Sequence, residues 1–190
     1  MSKEFKLEYM MGTWEEAEAL VDKELRTDIG IDKVEEGSIR RRLETIEFDC
    51  PLHYDDETAK EAGYKGIIAP YSMALTYATT PYWKPGDPLT KLDDAVKIIS
   101  IPVLDNVPAP TSLSFATDFD IEFFAPMYAG DRITTTTKLN SIMYKELKVG
   151  KGAFFVQETT YKNQREEVTA VSHITIFRFD PPEKTGKEGA

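Results

Sequence analysis

The chain is expected to fold as a single α+β domain, and three features of the sequence lead there. Helical patterning is confined to the first eighty or so residues. From about Thr117 onward the pattern is of long strands only. Between them lies IIAPYSMALTYATT, which has no charged side chain at all. Helices followed by strands, rather than alternating with them, argue for α+β. A helix apolar on every side is expected to be buried.

The elements follow in order. Thr13 with Glu16 three residues on is a capping box, so WEEAEALVDKEL reads as a short helix. Ser38 is a candidate cap for a second helix, whose Ile39, Leu43 and Ile46 share one stripe. Cys50 precedes a proline and is pushed towards extended geometry, so that helix ends near Phe48. ETAKEAGYKG reads as a helix from about Asp56, stopped by Gly63 just past its end. Pro70 suits the first turn of the charge-free helix, where a missing N–H costs nothing. PYWKPGDP is a loop, and Leu89 to Ser114 gives no clear signal. TDFDIEFF alternates at period two, and DRITTTTKL, AFFVQETTYKN and VTAVSHITIFRF are rich in β-branched and aromatic residues. GKG and NQREE suit hairpin connections, so these last three strands form an antiparallel meander. One buried helix wrapped by a long antiparallel sheet is the hotdog arrangement. Its rim and far edge stay exposed, so such domains usually pair. The domain is expected over residues 1–180, with 181–190 as a flexible tail.

Composition narrows the function. The 190 residues are 41% hydrophobic and 29% charged, with a formal net charge of −10, which argues against non-specific nucleic-acid binding. No apolar run approaches the ~20 residues of a membrane span. MSKEFKLEYM has no signal-peptide core, and a single cysteine leaves no internal disulfide, so a cytoplasmic location is expected. Two histidines and one cysteine, widely spaced, make a zinc site unexpected.

FDCPLHYDDETAKEAGYKGIIAP concentrates the chemistry. The block PLHYDDETAKEAGYKGIIAP, followed by FFAPMYAGDRITTTTKL, resembles the MaoC-like, or (R)-specific enoyl-CoA hydratase, family from about Glu36 to Phe179. Within it the chain looks most like the N-terminal-half, substrate-binding type. The resemblance implies a hotdog fold and a hydro-lyase: reversible syn addition of water to an enoyl thioester of coenzyme A or acyl carrier protein. It implies no cofactor beyond the thioester itself. It also implies a homodimer, or a heteromer with a catalytic MaoC-like chain. Active members carry Asp-x-Asn-Pro-Leu-His. Aligned on Pro51-Leu52-His53, the family aspartate falls on Phe48 and its asparagine on Cys50. Asp49 is one residue out of register. The family's Ala-His-Gly reads Ala69-Pro70-Tyr71.

Hydration needs a base for water, an acid for Cα and donors for the developing enolate oxygen. An imidazole can carry a proton near neutral pH, and Asp49 is the nearest carboxylate, so the catalytic candidates are Asp49 and His53. Backbone N–H groups of Tyr71 and Ser72 at the helix start are the candidate oxyanion donors, since Pro70 has none. Tyr77, Tyr82, Trp83 and the apolar stretch from Ile98 to Val107 exceed what one turn needs, so Tyr77 and Trp83 are candidates for an acyl pocket, with dimer packing the alternative.

Plainer roles compete. His53 is a lone loop histidine, and Asp49 can bond nearby backbone as an Asx turn. Asp55 and Asp56 are natural caps, Cys50 a packing residue, and His173 a sheet residue. The Thr134 to Thr137 run needs only β-propensity. Ala129-Gly130-Asp131 reads as a tight turn, and Arg40 to Arg42 as a solvated face with phosphate binding the alternative. Four functions remain: a hydratase subunit working with a second chain, a self-sufficient hydratase using Asp49 and His53, a thioesterase, and a non-catalytic acyl-thioester binding module. The thioesterase is disfavoured because Pro70 to Thr80 offers no carboxylate.

Overall fold

The capping box at Thr13 forms as expected, with Thr13 Oγ1 accepting from Glu16 N–H and Glu16 reaching back. Yet α1 is only Trp14–Glu18. The chain turns through Asp22, at φ 62°, and Glu24–Lys33 is strand β1 instead of more helix. The backbone decides this: Asp22 N–H donates to Leu139 O at 2.7 Å, and β1 pairs antiparallel with a later strand. The computed structural model describes residues 9–81, 83–88 and 101–182.

Helix α2 is Glu36–Ile46 and buries Ile39 and Leu43 of the expected stripe, whereas Ile46 in its last turn is exposed. Its N-cap is Glu35, not Ser38. The Ser38 hydroxyl bonds back to Glu35 O and to Tyr77 Oη, both at 2.7 Å. Pro51–His53 is a 3₁₀ turn, and α3 is Asp56–Glu61, capped by Asp55 and followed by Gly63 at φ 93°. The charge-free segment forms a 3₁₀ turn, Tyr71–Met73, and then α4, Ala74–Tyr77. It is shorter and less buried than expected. Met73, Ala74 and Tyr77 are buried, whereas Ser72, Leu75 and Thr76 are exposed. The sheet covers one side of the helix only. A last short helix, α5, is Pro102–Asp105.

Strands β2 (Leu113–Phe123), β3 (Arg132–Leu147), β4 (Gly150–Lys162) and β5 (Val168–Asp180) complete one antiparallel sheet with β1, in the order β1-β3-β4-β5-β2. The predicted meander is β3-β4-β5. Its first turn is Lys148–Val149, so Gly150, Lys151 and Gly152 lie within β4 rather than in the connection. Gly152 is there because a Cβ would stand 1.9 Å from Arg178 O. β2 is an edge strand, and Phe119, Phe123 and the adjoining Phe124 are exposed.

Two apolar clusters lie on the concave face. One holds Ile133 and Ala170 against Met73, Tyr77, Ile39 and Leu43. The other holds Leu139, Phe155 and Ile176 against Val103, Val107 and Ala17. The second depends on Arg178, which is fully buried. Its guanidinium donates to Thr111 Oγ1, to the carbonyls of Val103 and Val107, and to Met10 O. It also lies over the rings of Tyr9 and Phe155. Burial among neutral acceptors pulls its pKa down to about 10. Arg178→Met keeps the bulk but removes every donor, leaving several acceptors unpaired. Urea unfolding should show a loss of at least ~3 kcal/mol, and an unchanged midpoint would mean that other donors replace the guanidinium.

Candidate functional site

The 3₁₀ turn Pro51–His53 exists because Cys50 is extended, at φ −131° and ψ 109°, and Pro51 opens the turn. It delivers His53 into the protein, where it is 8% exposed. His53 Nδ1 lies 2.8 Å from Ile68 O. A carbonyl only accepts, so Nδ1 carries the hydrogen and Nε2 is the basic nitrogen. Ile68 in turn bridges to Tyr128, and Ala69 N–H donates to Met127 O. The imidazole is thus fixed to the segment that leads into the central helix.

The aspartate does not join it. Phe48, at the family's aspartate position, puts its ring 5.8 Å from the imidazole. Asp49 is exposed and accepts a 2.5 Å hydrogen bond from Tyr54 Oη. That bond raises the Tyr54 pKa above its ordinary value. Asp55 caps α3 through Thr58 N–H, and Asp56 pairs with Lys60. Cys50 is a half-buried free thiol.

At the helix start, Met73 N–H donates to Pro70 O. Among the described residues, Tyr71 and Ser72 N–H have no protein acceptor, which leaves them available as donors. The Tyr71 ring packs on Phe123 at 5.2 Å, and its burial raises its pKa. Tyr77 is buried beneath the helix, bonded to Ser38. Trp83 Nε1 bonds to Asp87 O within its own turn. Tyr82 lies outside the described residues, as does part of the apolar stretch from Ile98.

Ala129-Gly130-Asp131 is a structural turn. Gly130 takes φ 91°, and Asp131, 2% exposed, receives a two-pronged bond from Arg165 at 2.7 and 3.1 Å. Burial opposes its charge, but Arg165, Gln164 and Tyr128 N–H together hold its pKa below the usual carboxylate value.

Past the last turn of α4 the described residues outline a groove on the concave face. The groove there has a volume of about 490 Å³, within the range of small-molecule sites. Its apolar wall includes Leu75, Ala78, Pro81, Ile101 and Phe119, and Arg26 paired with Asp28 also lines it. Its floor is polar: Thr135, Thr137, Gln157, Thr159, Tyr161 and Ser172. Sequence reasoning assigned that threonine run to propensity alone and missed the floor. The available signal was phase: Thr135 and Thr137 share a face with Ile133 and Leu139, and Gln157 and Thr159 share one with Phe155. Two further hollows, of about 460 and 470 Å³, are lined neither by His53 nor by the central helix.

The sequence matches the model of the FAS1-like dehydratase domain region over residues 25–171. The chain belongs to that family. Its fold is that of the MaoC-like hotdog dehydratases. A relative from Thermomonospora curvata, named "Probable enoyl-CoA hydratase alpha subunit", is 28% identical over 80% of this chain and 47% of its own. One from Mycobacterium tuberculosis, named 3-oxo-4,17-pregnadiene-20-carboxyl-CoA hydratase alpha subunit, is 24% identical over 79% of this chain and 46% of its own. The chain therefore spans about half the length of these two relatives. The ChsH1–ChsH2 complex of Mycobacterium tuberculosis superposes with a TM-score of 0.65 at 20% identity, covering 88% of this chain and 90% of the other.

His173 is a sheet residue, as expected, between Asp120 and Glu158 at 3.1 and 3.2 Å. Burial lowers its pKa, but the two carboxylates outweigh this and hold it above the ordinary 6.5. A raised folded-state pKa stabilises at low pH. Compared with His173→Gln, the wild type should hold its full advantage below pH 6.5 and lose it as pH rises through the folded value. Urea titrations from about pH 5 to about pH 9 read this directly, and a pH-independent difference would refute the ion pair.

Proposed function

We propose that this chain is the substrate-binding half of an enoyl-thioester hydratase, a hydro-lyase whose complete Asp/His pair is supplied by a second MaoC-like chain. The observation that carries this reading is the pairing of Phe48, not a carboxylate, with His53, while Asp49 is held at the surface by Tyr54. Hydration adds hydroxide to Cβ and a proton to Cα of the enoyl thioester. Both transfers need groups on the reacting atoms, and an imidazole beside a benzyl ring cannot orient and activate water as a carboxylate–imidazole pair does. Both relatives described above are named alpha subunits, which supports a division of labour. The exposed edge strand β2, with Phe119 and Phe123, is available to a second hotdog chain. The substrate is an acyl group on coenzyme A or acyl carrier protein, with Tyr71 and Ser72 N–H near the thioester oxygen.

The self-sufficient alternative rests on His53, whose Nε2 has no protein partner among the described residues. Hydration of a panel of enoyl-CoA thioesters separates the two. The chain alone should show no turnover, and turnover should appear with a co-expressed MaoC-like chain carrying the full Asp-x-Asn-Pro-Leu-His pattern. In that complex, His53→Ala here should cost less than about tenfold in kcat, against the 10²–10⁴ typical of a lost general acid or base. Turnover by the chain alone that His53→Ala abolishes would establish the alternative. Tight binding of a thioether analogue with no turnover in any combination would leave a non-catalytic binding module.

A further inference from the structure

The polar floor of the groove deepens this reading, and rests on it. The floor forms one belt across three central strands. Thr137 faces Thr159, Thr135 faces Tyr161, and Thr159 faces Ser172 in the sheet register. Every one of these side chains belongs to a residue at most 8% exposed. The belt separates the two apolar clusters, so it occupies positions where strand patterning calls for Val, Ile or Leu. Burying hydroxyls and an amide there is costly unless each finds a partner.

Most of the belt is internally bonded. Thr137 and Thr159 hydroxyls meet at 3.1 Å, and Tyr161 Oη meets Ser172 Oγ at 3.3 Å. Gln157 accepts from Val103 N–H at 2.9 Å, which ties the belt to the N-terminus of α5. Thr135 is the exception. It is 6% exposed and lines the groove, and among the described residues its hydroxyl has no protein partner. The oxygen is not sealed inside the protein and opens to the groove. Thr136, its neighbour on the opposite face, bonds to Thr27 at 3.1 Å. β-propensity accounts equally for both threonines, but not for an unpartnered hydroxyl on the groove side.

Position supports the same reading. His53 is fixed at the start of the central helix, and the groove opens beyond its end. Tyr71–Tyr77 spans about 10–13 Å at 1.5–2.0 Å per residue. A thioester near Tyr71 and Ser72 therefore sends the far part of its acyl group, not its reacting carbons, over the belt.

We propose that the groove selects acyl groups whose distal, bulky part carries a hydroxyl or keto oxygen, with Thr135 Oγ1 as its direct partner. A plain alkyl or alicyclic group of equal size would strand the Thr135 hydroxyl away from water, and sites built this way discriminate against the deoxygenated analogue. The apolar wall from Leu75 to Pro81 would grip the carbon skeleton.

The test is binding, not turnover, so it needs no partner chain. Isothermal titration of the full chain would use thioether conjugates of coenzyme A bearing a decalinylethyl group and a set of its hydroxy and oxo regioisomers. At least one oxygenated isomer should bind about tenfold more tightly than the parent, equivalent to ~1.4 kcal/mol. Thr135→Val, which is close in shape, should shrink that preference while leaving the parent's affinity unchanged or improved. Binding of parent and isomers with equal affinity to the wild type would overturn the inference while leaving the thioester-binding function standing. A preference that survives intact in Thr135→Val would overturn the role of Thr135. No binding of any conjugate would overturn the functional reading itself, and the inference with it.

Discussion

A long antiparallel sheet must have its concave face covered, and here that covering comes in two pieces. The first is the Tyr71–Tyr77 helical segment with α2 behind it, over Ile133 and Ala170. The second is the segment from Pro102 to Ala109 with α1, over Leu139, Phe155 and Ile176. Had the central helix continued for two more turns, one apolar core would suffice. Because it stops, the strip between the two covers is neither core nor open surface, and the polar belt occupies it.

Each cover needs its own anchor. The first is held from below by Tyr77, whose hydroxyl reaches Ser38 on α2. It is held from the side by β1, whose Ile31 N–H donates to Thr79 O. That approach is close enough that residue 30 must be glycine: a Cβ there would stand 1.8 Å from Tyr77 O. Arg132 then clamps the same strand through the carbonyls of Gly30 and Ile31. The second cover has little regular structure, and Arg178 substitutes for it by collecting three carbonyls from two separate stretches of chain. A guanidinium suits this role because its five N–H groups fan out in a plane and reach acceptors that no single strand or helix could align.

The same division organises the candidate site. His53 belongs to the first cover, fixed by Ile68 at the helix start. The groove belongs to the gap. Under the proposed function these are the two ends of one bound thioester, and the chain's asymmetry is chemical as well as structural: a well-built place for the acyl group beside an acid–base pair lacking its acid. The surface hydrogen bond between Tyr54 and Asp49 makes that deficit a feature of the packing, since it gives the out-of-register carboxylate a partner of its own.

The sequence by itself determined that helices precede a run of strands, the meander, the capped starts of α1 and α3, and the position of Asp49 next to, not at, the place the resemblance gives to an aspartate. All of these rest on local signals: side-chain period, caps, and residue identity within a short motif. It also pointed to the turn at Asp131, although not to Arg165, which lies far away in sequence. Strand β1 was not legible, because Ile29 and Ile31 are exposed and LRTDIGID carries charge where a buried strand would not; only the ladder to β3 makes it a strand. The length and exposure of the central helix were equally hidden. An uncharged segment looks buried on every side until the sheet is seen to cover only one. The polar belt was decided entirely by tertiary structure. Its threonines are ordinary strand residues one at a time, and only the register of β3, β4 and β5 brings their hydroxyls onto one face, at the floor of a groove that no local pattern encodes.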